Sequence, residues 1–277
     1  MNQKQLSLKD GTKITFYEWP VNNAKAHLHI VHGYAEYAGR YDHFAKYLNQ
    51  QSISVSAYDQ RGHGRSEGLR AYIDRFEIYV NDLEEVLTHV NPSAPLFLMG
   101  HSMGGLVSVR FALDKNTSDF RGMIVTSALL EIDKDLSPIL QWLAPILGFL
   151  FPKMPTEKLD KTYLTRSPEN LEAYTTDPLV YLGGTRARTG AELLKTIKTS
   201  RERFAEIDLP ILICHGEADR LTMPGGSRLL AEMSTSKDKT LKIYPGLYHE
   251  LINEPERDMV MRDFGKWILE RATETSK

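Results

Sequence analysis

Leu96-Phe97-Leu98-Met99-Gly100-His101-Ser102-Met103-Gly104 decides how this chain is read: a short apolar run, a serine flanked by glycines, then the start of an amphipathic helical pattern. The sequence predicts a strand, a sharp turn and a helix, with Ser102 on the turn, as in a nucleophile elbow. A serine held there has a strained backbone, and the residues two before and two after it must be small so that nothing collides across the turn. Gly100 and Gly104 meet that requirement. The Gly-x-Ser-x-Gly pattern arises by chance about one time in ten in a chain of this length, so the surrounding sequence has to carry the assignment.

Outward from the serine, short β-rich runs at residues 28–31, 53–57, 96–99, 123–125, 211–214 and 241–244 are separated mostly by helical stretches. That alternation predicts an α/β fold, a mostly parallel sheet with helices on both faces. Between two of the runs, Phe76, Tyr79, Val80, Leu83, Val86, Leu87 and Val90 fall on one helical stripe, with Asp74 and Glu77 expected to cap its start. Residues 6–19 alternate in polarity around Asp10-Gly11, the pattern of an antiparallel hairpin.

The alternation breaks between about 129 and 200, which predicts a helical cap inserted into the sheet domain. The expected division is a core of residues 1–128 and 201–277 with a cap, or lid, at 129–200. Within the cap, residues 136–151 are nearly all apolar but include Ser137, Pro138, Gln141 and Pro145. The stretch falls short of the ~20 residues that span a bilayer, and its prolines are expected to break any continuous helix. It reads as a lid over an apolar pocket that makes transient peripheral contact with a membrane, or else as packing inside the cap.

The chain has 277 residues, long enough for one large domain carrying such an insertion. Hydrophobic residues make up 42% and charged residues 25%, and 34 Lys+Arg against 36 Asp+Glu leave a net charge of −2. That balance offers no field to attract nucleic acid. The single cysteine, Cys214, excludes an intramolecular disulfide and suits a reducing compartment. Met1-Asn2-Gln3-Lys4-Gln5-Leu6-Ser7 has no apolar run of the signal-peptide kind, so a cytoplasmic protein is expected. His27, His29, His43 and His89 show no ligand-like spacing with carboxylates, and no metal site is expected.

A serine hydroxyl is a weak nucleophile that needs a base, and the base needs an orienting carboxylate. Asp219 follows the 211–214 run in the loop His215-Gly216-Glu217-Ala218-Asp219, and His249 follows the 241–244 run in Pro245-Gly246-Leu247-Tyr248-His249. Ser102, Asp219 and His249 thus occur in the order such a sheet uses. The oxyanion needs two main-chain donors, one after the nucleophile and one from the loop after an earlier strand, which points to the N–H groups of Met103 and Tyr34.

Five motifs in sequence now stand together: His32-Gly33-Tyr34-Ala35-Glu36 with Gly39-Arg40-Tyr41; Asp59-Gln60-Arg61-Gly62-His63-Gly64-Arg65-Ser66-Glu67-Gly68; Gly100-His101-Ser102-Met103-Gly104-Gly105; Ala218-Asp219-Arg220; and His249-Glu250. On these the chain resembles, over nearly its whole length, the monoacylglycerol lipases of the α/β-hydrolase superfamily, lysophospholipase-like serine hydrolases with a helical cap. The resemblance implies Ser102 as nucleophile, His249 as base and then acid, Asp219 as its orienter, and the N–H groups of Tyr34 and Met103 as oxyanion hole. It implies hydrolysis of a small lipid ester, monoacylglycerol to fatty acid and glycerol, through an acyl-enzyme and without a cofactor. A lysophospholipase, a general carboxylesterase or thioesterase, or an aminopeptidase of similar fold are the enzymatic alternatives, and a non-catalytic ligand-binding protein is the alternative from another class.

Two departures from the family pattern are Tyr34, where some relatives have a small residue, and Thr222, where animal relatives carry a cysteine. Glu36 matches the acidic residue near the alcohol end of the site, where it could bind a glycerol hydroxyl or tie down its own loop. Asp59 and Arg61 read as a structural charged pair in a glycine-rich turn, and His63, His101 and His215 as hydrogen-bonded loop histidines.

Overall fold

The computed structural model describes residues 1–90, 92–132, 138–156 and 158–273. Its N-terminal hairpin pairs β1 (Asn2–Ser7) with β2 (Lys13–Trp19), in a register running from Asn2 opposite Glu18 to Ser7 opposite Lys13. Six further strands follow: β3 (Ala26–Val31), β4 (Ile53–Tyr58), β5 (Leu96–His101), β6 (Phe120–Thr126), β7 (Ile211–Gly216) and β8 (Lys239–Tyr244). They join one sheet in the order β1-β2-β4-β3-β5-β6-β7-β8. The β1–β2 and β2–β4 pairs are antiparallel and all the others parallel. Each strand expected from the sequence is present, most of them longer than the apolar run that marks it, because the ladder continues into polar residues such as His101 and Gly216.

The central strands are apolar on both faces because helices cover both. Leu28, Ile30, Phe97, Met99, Ile124 and Leu212 point to one side, where they pack with Phe44 and Leu48 of α1 (Asp42–Asn49) and Phe264 and Trp267 of α8 (Arg257–Ala272). Val31, Leu98, Met123, Val125, Ile211 and Ile213 alternate to the other side. There they meet α2 (Glu77–Leu87), α3 (Met103–Asp114) and α7 (Pro224–Met233).

Helix α2 does not start as its sequence suggests. Asp74 is 62% exposed and makes no cap. The Phe76 N–H instead donates to Glu192 Oε2 at 3.2 Å, from α6 (Ala187–Arg201). Glu192 is buried, and taking an unpaired helix-start donor meets its own need for partners.

Between β6 and β7 the chain makes α4 (Pro138–Leu150), α5 (Pro168–Thr176) and α6. Residues 136 and 137 of the apolar stretch lie outside the described residues. Helix α4 runs unbroken through Pro145, against the expectation that proline would interrupt it. Pro145 is exposed, and the bond it forgoes is offset by packing along α6, where a Cβ on Gly148 would already lie 3.0 Å from the Cβ of Ala191. Farther along α6, Ile197 reaches the core shared with α3. Among the described residues no helix is long and apolar enough to cross a membrane.

Candidate active site

Strand β5 delivers Ser102 to the start of α3 with φ +54° and ψ −118°, a conformation that L-residues seldom adopt. Neighbouring atoms enforce it. A Cβ on Gly100 would lie 2.3 Å from the Gly104 carbonyl oxygen, and one on Gly104 2.1 Å from that of Val31 in β3. The Ser102 N–H donates to the Thr126 carbonyl at 3.1 Å, and its own carbonyl accepts from the Leu129 N–H at 3.0 Å, which pins the turn to the end of β6.

His249 Nδ1 lies 2.7 Å from Asp219 Oδ2. Asp219 Oδ1 accepts the N–H groups of Leu221 at 2.8 Å and Thr222 at 3.1 Å, while Oδ2 also receives the Thr222 hydroxyl at 2.9 Å and faces His215 Nε2 at 3.1 Å. Burial would push the Asp219 carboxyl up, but the two histidines and their hydrogen bonds outweigh it and hold the group ionised far below the ordinary carboxylate range. For His249 burial opposes the charged form, and the Asp219 carboxylate, with Glu250 and Glu36 farther away, reverses the balance and raises its pKa. His101 lies with its ring centroid 4.7 Å from that of His249 and is pushed down to about 4 by burial, so it stays neutral where His249 titrates.

The N–H of Met103 opens α3, where the helix dipole favours negative charge, and the N–H of Tyr34 sits in the loop after β3. Among the described residues neither N–H has an acceptor. Glu36 holds this loop: its Oε1 accepts the Gly33 N–H at 2.7 Å and the Tyr41 hydroxyl at 2.8 Å, and its Oε2 accepts Arg40 Nη1 at 2.6 Å. Both oxygens are therefore engaged within the protein. Arg40 also grips Glu250 through two bonds of 2.6 and 2.7 Å, so it joins the Tyr34 loop to the His249 loop. Burial works against ionised Glu250, but the Arg40 guanidinium wins and holds it down at about 2.

Ser102, His249, Tyr34 and Glu36 line one cavity of about 80 Å³. A second cavity, of about 280 Å³ and mostly apolar, lies under α4 and α6 and is lined by Ala144, Leu147, Ala191 and Leu194 among others. Leu129, Thr185, Leu193 and Leu221 border both, so the two adjoin.

Sequence reasoning did not single out Arg40 or Glu250 for a role, although both stand inside the quoted motifs. Asp59 and Arg61 do not pair with each other. Asp59 accepts the N–H groups of Ala38 and Arg65 and the Tyr17 hydroxyl, whereas Arg61 is bidentate to Asp82. Two residues apart, they leave the β4 turn in different directions.

A mostly parallel eight-stranded sheet in this order, with a strained serine turn at the end of β5, is an α/β-hydrolase. The chain belongs to the serine aminopeptidase S33 family, which it matches over residues 22–256. It is 36% identical over 263 residues to the monoacylglycerol lipase of Mycolicibacterium smegmatis, covering 94% of each chain. To the monoglyceride lipase of Rattus norvegicus it is 36% identical over 272 residues, 95% of this chain and 88% of that one. The crystal structure of Paleococcus ferrophilus monoacylglycerol lipase superposes with a TM-score of 0.85 at 28% identity, over 93% of this chain and 99% of the other.

Proposed function

We propose that the protein hydrolyses monoacylglycerols to fatty acid and glycerol through an acyl-enzyme on Ser102. The observation that carries this reading is that Ser102 and His249 open on one small cavity which adjoins a larger apolar one, a polar reaction chamber beside room for an acyl chain. The names of the relatives with which the chain shares about a third of its residues support the same substrate class.

In this mechanism the Ser102 oxygen attacks the ester carbonyl while His249 Nε2 takes its proton, and Asp219 holds Nδ1–H and balances the imidazolium. The unspent N–H groups of Tyr34 and Met103 receive the oxyanion. His249 returns the proton to the departing glycerol oxygen, then activates the water that releases the fatty acid. Glu36 acts by fixing the Tyr34 loop. Residues 129–200 form the cap, and α4 serves it with two faces. Ala144 and Leu147 line the acyl cavity, while Phe149 and Leu150, with Phe151 just past the helix end, are 77%, 58% and 55% exposed and make peripheral contact with lipid.

Fatty-acid release from a monoacylglycerol, a lysophosphatidylcholine and a short p-nitrophenyl ester, with Ser102→Ala as the blank, tests the proposal. Preference for the monoacylglycerol is expected. Preference for short esters with long-chain lipids untouched would make the protein a general carboxylesterase.

A further inference from the structure

Asp219 is faced by two imidazoles, and the mechanism uses only one. His215, the last residue but one of β7, is fully buried with its Nε2 3.1 Å from Asp219 Oδ2 and 3.0 Å from the Thr222 carbonyl oxygen. An ionised carboxylate and a carbonyl only accept, so Nε2 must carry the hydrogen. On the other side Nδ1 lies 2.7 Å from the hydroxyl of Ser227 on α7, also fully buried, and this hydroxyl is the donor that fits a bare Nδ1. The ring is locked between α7 and the Asp219 loop with one orientation and one tautomer. That hydrogen is bonded to the Thr222 carbonyl, which leaves the N–H edge of the ring 3.1 Å from the carboxylate oxygen that orients His249.

We infer that His215 is a positioning residue of the hydrolase: bonded to the Thr222 carbonyl, it fixes the Thr222 N–H and hydroxyl that hold Asp219 and sets the N–H edge of its ring beside Oδ2, keeping the carboxylate aimed at His249 and moderating how strongly it holds the imidazolium. This rests on the acid–base roles given to Asp219 and His249 above. His215 lines neither the cavity beside Ser102 nor the apolar one, so it acts through Asp219 and not on substrate. The polar edge of the ring offsets part of the carboxylate's charge. Without it Asp219 pulls harder on the His249 proton and swings more freely, so the base becomes harder to discharge and less well aimed. The other titratable groups facing His249 are Glu36 from the loop after β3, His101 from the end of β5, and its neighbour Glu250. None of them touches His215, so its removal leaves them in place.

The test follows the rate at which a fluorophosphonate labels Ser102 across pH, with hydrolysis of a soluble ester in parallel. His215→Leu is expected to slow labelling and kcat about tenfold with KM unchanged, and to move the acid limb up by about half a pH unit. His215→Gln, whose amide nitrogen can stand near the position of Nε2, should keep the rate within about threefold of wild type and leave the limb in place. Equal impairment of both variants with no movement of the limb would make His215 structural only, and an unimpaired Leu variant would remove its role altogether. Because a buried leucine there could unfold the chain, nitrogen NMR of the labelled wild-type histidines gives a second reading. A protonated Nε2 with a bare Nδ1 on His215 is expected, and the opposite tautomer overturns the inference. Failure of the wild-type protein itself to label would strike the assignment of Ser102 and the function built on it, a result distinct from any of these.

Discussion

At the residue scale the proposed chemistry rests on Ser102, Asp219 and His249, with the Arg40 guanidinium bracing the loops around them. Ser102→Ala should lower turnover by roughly 10⁴- to 10⁶-fold, the scale of removing one member of a group that acts as a unit. Circular dichroism and a thermal melt of the variant separate this from lost structure, and a near-wild-type rate would place the nucleophile elsewhere. Arg40 is different in kind: it is one cation serving two buried carboxylates, Glu36 and Glu250. Removing it with Arg40→Met strands both, and unfolding in urea should show a loss of about 3–5 kcal/mol, the range for a broken buried ion pair. The sequence supplied the candidates Ser102, Asp219 and His249 because strand–turn–residue spacing is local. It could not reveal the grip of Arg40 on Glu250, which joins residues far apart in the chain through a contact that only the fold creates.

At the scale of elements, α4 is the instructive one. Its composition is apolar all round, and helices of that kind are ordinarily buried or membrane-bound. Here one face lines a cavity and the other meets solvent. Replacing Phe149 and Phe151 together with glutamate should weaken binding to phospholipid vesicles and slow hydrolysis of vesicle-borne substrate. Activity on a short soluble ester should stay within about twofold, since surface changes away from the cavity cost little. Equal loss on both substrates would mean that the segment packs against the cap and does not dock. The apolar stretch was visible in the sequence, but its continuity through Pro145 was not. Proline's cost is a local matter, whereas the packing of α4 on α6 that offsets it is tertiary. The start of α2 teaches the same point, since Asp74 had the right chemistry for a cap and Glu192, distant in sequence, had the right place.

For the whole molecule the buried histidines govern the response to acid. Burial pushes His27, His32 and His101 down to about 4 and His29 and His63 to about 3, so all five stay neutral in the fold while the unfolded chain takes up protons below the ordinary value of 6.5. The unfolded state then binds more protons, and stability must fall as pH drops from 6.5 toward 4. His249 is raised and acts in the opposite sense, its contribution being present below 6.5 and lost as pH rises through its folded value. Asp59, raised by burial to about 6, also opposes them as it protonates in the fold, and the five outweigh these two. Thermal melts across this window should show Tm falling steadily with acidification, and a flat profile would mean that these rings are protonated in the fold.

Much was legible in the sequence alone: an α/β sheet, and the serine, aspartate and histidine in order at the ends of strands that leave one edge of it. These follow from hydrophobic periodicity and from glycines at a turn that tolerates nothing larger, and both are written in neighbouring residues. The tertiary structure decided which donors surround Asp219, what Glu36 and Arg40 hold, and that a cavity beside Ser102 adjoins an apolar one beneath α4. Each of those depends on groups brought together across the sheet, where distance along the chain carries no information about distance in space.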